Sequence, residues 1–363
     1  MNNKILHVVH NDKFSAPFIR FLKDNNIYHG QTFLYWGGAP SNVYPIPHEE
    51  NVSTIQESDS KLQRLSILLR HFYAADKVIL HSLFTSALIR FLYLQPWLLR
   101  KCYWVIWGGD LYYHIEAKDS KSYASIEKRR KRVIGNFGGI ICYNRAEYEL
   151  AEQWYGAKGQ FIQSFFYPSN LYEKLDIEVQ RTSTVYIQIG NSSDWQNQHI
   201  EVLEKLEPYK DEDMILVVPL SYGNASQSYI DEVIHAGHSI FGSKFMPLTS
   251  FMEFDKYLEI LGRIDIAIFN RNRQQAMGNI TTLLGLGKKI YMKNSITSWQ
   301  LFKELDIKVF DVSDFDLALL DDAVKRSNME KIKEYFSREH LVEQWRNILG
   351  IENSIVSRTD ADS

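Results

Sequence analysis

The chain has 363 residues, 45% hydrophobic and 23% charged, with a net charge of −3. That length exceeds one small core and favours two domains, and the near-neutral balance lacks the global basic field of a nucleic-acid binder. Two cysteines, Cys102 and Cys142, are too few for a disulfide framework and read as small buried hydrophobes of a reducing compartment.

The opening MNNKILHVVHND carries one lysine and a short apolar run, which is not a secretory-signal pattern. No apolar stretch of about 20 residues is present, so a cytoplasmic placement is expected, free or on the inner face of a membrane. Lys4–His10 reads as the first strand, followed by a helix-like APFIRFLKDNN. Gln31–Trp36, Lys77–His81, Cys102–Trp107 and Gly138–Tyr143 read as further strands, with helical segments between them. Continuous apolar strands alternating with helices imply a parallel sheet covered on both faces. The pattern weakens over Tyr167–Ser183, an expected linker, and then restarts with TVYIQIGNSSDWQNQHI as strand, polar loop and helix. MILVVPLSYG, KFMPL, DIAIFN and KKIYMK follow as strands, with helices over SFMEFDKYLEILGRI and QAMGNITTLLGLG. The expected fold class is α/β with two Rossmann-like domains, residues 1–170 and 184–325. A helix over Met329–Leu349, within residues 326–350, is expected to cross back to the first domain.

The chemistry-bearing residues fall just after strands: His10, His81, Trp107-Gly108-Gly109-Asp110, Gly190-Asn191-Ser192-Ser193, Pro219 to Gly223, and Asn270 to Gln275. That is where open α/β sheets bind ligands. In GNSSDWQNQHI the hydroxyl and amide residues either cap a helix or offer its amino terminus to an anion. The stretch lacks a P-loop lysine, which disfavours ATPase chemistry. In NRNRQQAMGN, Arg271 and Arg273 are forks suited to phosphate oxygens, and Gly278-Asn279 opens a helix. Asp110 is the candidate general base, with a helix cap or loop brace as the alternative, and His10 and His81 stand in reserve. The histidines lack paired metal-ligand spacing and no GxSxG elbow occurs, so neither metal, cofactor nor nucleophile is expected. Leu88–Trp104 and the basic run Lys128–Arg132 suit an interfacial surface on anionic lipid; the plainer alternative is a core helix beside a solvated one.

Taken in order, VIWGGDLY, GNSSDWQNQHI, VVPLSYG, FDKYLEILGRIDIAIF and RQQAMGN resemble bacterial glycosyltransferase family 56. These are the TDP-N-acetylfucosamine:lipid II N-acetylfucosaminyltransferases of enterobacterial common antigen synthesis. GGD stands where the family more usually has GAD, and AMGNITT where it has a GIGT stretch. The resemblance implies a GT-B architecture, two facing Rossmann-like domains with an interdomain cleft. It implies a dTDP-sugar donor held by the carboxyl-terminal domain, through Gly190, Asn191, Ser192, Ser193, Pro219, Ser221, Tyr222, Arg271, Arg273, Gln274, Gln275, Gly278, Asn279 and Thr282. The acceptor, a saccharide on undecaprenyl diphosphate, would meet Trp107, Gly108 and Gly109 in the amino-terminal domain, at the cytoplasmic face of the bacterial inner membrane. Gln274 and Thr282 occupy positions where many GT-B enzymes carry two glutamates. Neither is ionised, which suits a deoxyribose lacking the 2′-hydroxyl. The expected reaction is metal-independent transfer of a Fuc4NAc-like amino-deoxyhexose, in common-antigen or O-antigen synthesis. Ser192, Ser193, Arg271, Arg273, Gly278 and Asn279 would stabilise the leaving diphosphate. The rival readings are a GT-B-fold sugar-nucleotide epimerase and a non-catalytic membrane-bound scaffold.

Overall fold

The computed structural model describes residues 4–119, 123–175, 183–223, 225–250 and 252–351. The chain divides into two units. Unit 1 holds the residues up to Ser169 together with the segment from Arg338, and unit 2 runs from Asn170 to Ser337.

Unit 1 contains β1 (Ile5–Asn11), β2 (Gln31–Gly38), β3 (Val52–Ile55), β4 (Lys77–His81), β5 (Cys102–Val105), β6 (Gly139–Cys142) and β7 (Gln160–Gln163). They form one parallel sheet in the order β3-β2-β1-β4-β5-β6-β7. The central strands are apolar almost throughout because helices cover both faces, and Phe72, Leu80, Leu92, Trp104 and Ile134 are fully buried in that core. Local signals fix the covering helices. Lys61–Ala74 starts on a capping box between Ser60 and Gln63, and Arg145–Tyr155 starts on Asn144 and stops at the left-handed Gly156.

Unit 2 contains β8 (Val185–Ile189), β9 (Met214–Pro219), β10 (Phe245–Leu248), β11 (Ile266–Phe269), β12 (Lys289–Met292) and β13 (Phe310–Asp311). Its parallel sheet has the order β10-β9-β8-β11-β12-β13. In each sheet the direction of winding reverses once, between β1 and β4 and between β8 and β11. Loops leaving the carboxyl ends of such a strand pair diverge and open a crevice, so each unit has one topological switch point.

Three strands lie outside those expected from the sequence: β3, β7 and β13. The segment expected as one helix over Met329–Leu349 is two: Asp322–Tyr335 in unit 2 and Arg338–Leu349 in unit 1. The latter is anchored by Trp345, fully buried, whose indole N–H donates to the Phe166 carbonyl at 2.7 Å. Of the expected linker Tyr167–Ser183, residues 176–182 lie outside the described residues. Tyr167 is already buried in unit 1 and Leu171 is buried in unit 2.

Candidate functional site

At the switch point of unit 2 the loops leaving β8 and β11 are joined by Arg271. Its guanidinium is 4% exposed. Nε donates to Asn197 Oδ1 at 2.9 Å, one terminal nitrogen donates to Asn191 Oδ1 at 2.7 Å, and the other to Gln275 Oε1. All three acceptors are neutral amide oxygens. The nearest carboxylate, Asp194, stands 3.7 Å away and is partly solvated. Burial pulls the Arg271 guanidinium down to about 10, with nearby Arg273 pulling the same way and Asp194 opposing. A buried cation held mostly by neutral partners keeps its field for an anion.

The β8 loop is itself locked. The Tyr222 carbonyl accepts both the N–H and the hydroxyl of Ser193, at 2.7 and 3.0 Å, and Asn191 donates to the Tyr222 hydroxyl at 3.0 Å. Gly190 turns the chain at φ +64°, and a Cβ there would sit 2.7 Å from Asn197 Cγ. Ser193 is therefore spent within the loop, whereas among the described residues the Ser192 hydroxyl has only long contacts of 3.4 Å, to Arg271, Asn197 and the Asp194 N–H. Pro219 is buried and ends β9, while Ser221 and Tyr222 follow in its loop, Tyr222 largely exposed. The helix Met277–Gly285 begins after a left-handed Ala276 with no side-chain cap, so its first N–H groups are open. Asn279 accepts from Tyr257, and Thr282 bonds back to the Gly278 carbonyl at 2.8 Å. Gln274 is buried with its Oε1 unpartnered.

At the switch point of unit 1 the three base candidates separate. Asp110 is 1% exposed and lies in the first turn of the helix Gly109–Glu116. Oδ2 accepts from the Leu83 N–H and the Trp104 indole at 2.9 and 2.7 Å, and Oδ1 from the Trp107 and Leu111 N–H groups at 2.9 and 3.1 Å. Burial raises this carboxyl, opposed by those donors and Arg130. With both oxygens committed, Asp110 braces three segments of chain. His81 is equally buried, bonded to His7 on one side and Tyr167 on the other, and burial holds it well below the usual imidazole range. His10 differs: it is half-buried at the tip of β1, and among the described residues its one hydrogen-bond contact is a long 3.5 Å one to Thr85 Oγ1. Gly108 supplies the positive φ that starts the Asp110 turn, and Trp107 stands beside it, partly exposed.

Residues 52–354 match the 4-alpha-L-fucosyltransferase, glycosyl transferase group 56, family. The chain belongs to glycosyltransferase group 56. Solved structures similar to this glycosyltransferase include sucrose-phosphate synthase from Thermosynechococcus elongatus, at TM-score 0.65 and 12% identity, covering 96% of this chain and 99% of that one. Anabaena HepE in complex with UDP is similar at TM-score 0.64 and 13% identity, with the same coverage. The UDP-forming trehalose-phosphate synthase of Burkholderia vietnamiensis is similar at 0.60 and 9%, covering 96% and 98%. The group 56 chain therefore has the GT-B fold.

Two buried residues beside Arg271, namely Asn197 and His199, were not singled out in the sequence. Both lie inside the GNSSDWQNQHI stretch, while Asn270, directly before Arg271, opens the Asn270 to Gln275 loop already marked in the sequence. All three are fully buried, and Asn270 has neither amide atom partnered, while His199 Nε2 is also without a partner. For Asn197 and His199 the signal was adjacency to the residues already singled out. Among the described residues no group of three His, Cys, Asp or Glu side chains is placed to hold a metal ion. No described helix is long and apolar enough to cross a membrane.

The basic helix Tyr123–Ile134 is only partly a surface. Arg130 is 1% exposed, donates to the Leu83 and Asp110 carbonyls, and packs over the rings of Tyr113 and Tyr155. Lys128, Lys131 and Arg132 remain exposed, and Arg132 lies over Tyr93 of the neighbouring helix Ser86–Leu94. That helix and the turn after it expose Leu94 and Trp97 together with Arg90 and Arg100.

Proposed function

We propose that this glycosyltransferase moves a Fuc4NAc-like amino-deoxyhexose from a dTDP-sugar to a saccharide on undecaprenyl diphosphate. The setting is synthesis of a bacterial surface polysaccharide, common antigen or O-antigen, at the cytoplasmic face of the inner membrane. Group 56 membership supports a donor of the fucose type. The observation that carries the reading is Arg271, a buried cation at a switch point with amide oxygens for partners and an open helix amino terminus close by in sequence. In transfer the bond between the sugar C1 and a diphosphate oxygen breaks, and a bond from C1 to the acceptor oxygen forms. Arg271, Arg273 and the N–H groups at Met277–Gly278 stabilise the departing diphosphate. The orphan Gln274 oxygen accepts from a donor-sugar hydroxyl. The acceptor proton passes to His10, which burial keeps below the usual imidazole range and so uncharged and able to accept near neutrality. The exposed Leu94 and Trp97 together with exposed Arg90, Arg100, Lys128, Lys131 and Arg132 support the membrane setting.

The test is calorimetric titration of the protein with TDP, UDP and GDP without added metal. A clear preference for TDP is expected. Equal binding of all three, or of none, overturns the donor reading.

A further inference from the structure

The switch point of unit 1 carries aromatic side chains that the transfer chemistry above leaves unused. Phe84 follows β4 and is 51% exposed. Trp107 follows β5, and Phe14 precedes the helix Ser15–Asp24. The Phe14 and Trp107 rings stand 5.7 Å apart at 89°, Phe84 and Trp107 6.4 Å apart at 78°, and His10 lies 6.0 Å from Phe84. Asp12 shares the β1 loop with His10. Its Oδ1 holds the Phe14 and Ser15 N–H groups, while its Oδ2 is buried with no partner.

The orientation of Trp107 is set from deep inside the sheet. Gln31 donates its amide N–H to the Ile27 carbonyl, so its Oε1 is left to accept from His7 Nε2, at 2.6 Å. His7 is fully buried and lowered to about 3 by that burial, so it is neutral and its Nδ1 accepts from His81 Nε2, at 2.9 Å. His81, neutral for the same reason, accepts at Nδ1 from the Tyr167 hydroxyl at 2.6 Å. The Tyr167 oxygen then accepts the Trp107 indole N–H at 2.9 Å. Every hydrogen in this chain has one assignment and one direction. Its outer end is the indole.

We propose that Phe14, Phe84 and Trp107 form the platform on which the pyranose ring of the acceptor lies, with His10 and Asp12 Oδ2 taking its hydroxyl groups and the buried Gln31–His7–His81–Tyr167 chain fixing the indole. This rests on the glycosyl-transfer reading. A pyranose presents C–H faces and hydroxyl edges. Aromatic faces attract polarised C–H groups, and a mostly aromatic site with a few polar groups of unused capacity matches that pattern. Tyr167, His81 and His7 are positioning residues: all three are buried, and Tyr167 meets the platform from beneath, accepting the Trp107 indole N–H and stacking on Phe14 at 5.7 Å and 15°.

The experiment is saturation-transfer NMR on the full chain with methyl glycosides of glucose, galactose, N-acetylglucosamine and glucuronic acid, with TDP affinity measured on the same samples. The wild-type protein is expected to pass saturation to the ring C–H protons of at least one glycoside. Phe84→Ala and Trp107→Ala should weaken that binding about five- to tenfold. Tyr167→Phe, which frees the indole without removing it, should weaken it about two- to threefold with TDP affinity unchanged. A purely structural role for Tyr167 would lower the melting temperature alone. Phe84 is exposed, so its variant keeps the core intact even if Trp107→Ala fails to fold. Glycoside binding that survives Phe84→Ala and Trp107→Ala at the wild-type level overturns the platform. So does a wild-type protein that binds TDP and no glycoside, which leaves the donor reading standing. Binding of neither removes both.

Discussion

A carboxylate at a strand tip acts as a base only while a lone pair is left for the incoming proton. Asp110 has four N–H donors on its two oxygens, so Asp110→Asn places an amide NH2 against one pair of them. We expect this variant to lose roughly 2 kcal/mol or more of stability, seen as a lower melting temperature. If Asp110 is a brace, the variant's turnover per folded molecule should stay within a few-fold of wild type, whereas a large loss of turnover without destabilisation would show the base role. Arg271 predicts the opposite pattern. Arg271→Lys cannot reach three amide oxygens at once, and nucleotide diphosphate affinity by calorimetry should fall by about tenfold or more. Both positions were legible in the sequence because each follows an apolar strand. Whether a side chain turns into the protein or out of it was not: Asp110 and His81 turn in, His10 stays half open, and nothing in the neighbouring residue types distinguishes the three.

The elements that the sequence concealed share one property. β3, β7 and β13 all lie at the edges of their sheets, where only one neighbour strand is present. VSTI, QFIQ and the two-residue FD lack the continuous apolar run that marks β1, β4 or β11, because an edge strand is only partly covered. The helix Tyr123–Ile134 hid something different. Five basic residues in a row look like one surface, yet the helical period turns Arg130 inward and leaves Lys128, Lys131 and Arg132 outward. At this scale the membrane reading becomes testable. Co-sedimentation with vesicles containing anionic phospholipid should fall with added salt, and should fall strongly in a Leu94→Asp, Trp97→Ala, Lys131→Glu, Arg132→Glu variant. Unchanged sedimentation of that variant would remove this face from the membrane contact.

For the molecule as a whole, buried titratable groups shape stability against pH. Glu147 is fully buried, and burial raises its carboxyl to about 8 against the Tyr143 N–H that pulls it down. The native state thus keeps a proton that the unfolded chain releases above 4.5, and stability falls as pH rises from there through 8, by up to about 1.4 kcal/mol per unit. His7 and His81 are held neutral while the unfolded chain protonates them below 6.5, so their contribution falls as pH drops below 6.5. Between 4.5 and 6.5 the two histidines therefore act against the glutamate. Glu147→Gln should raise the melting temperature at pH 8 and leave it unchanged at pH 4; equal effects at both would show that Glu147 does not titrate as described. The helix Arg338–Leu349 has a consequence for how the protein is made. Trp345 fills a space between Phe18, His7 and His81, residues translated more than two hundred and sixty positions earlier. On the ribosome the first-made sheet must therefore wait, its core open, while the later unit Asn170–Ser337 emerges with all of its own strands. The order of synthesis and the order of completion are reversed, and chaperone dependence in vivo should concentrate on the half that is born first.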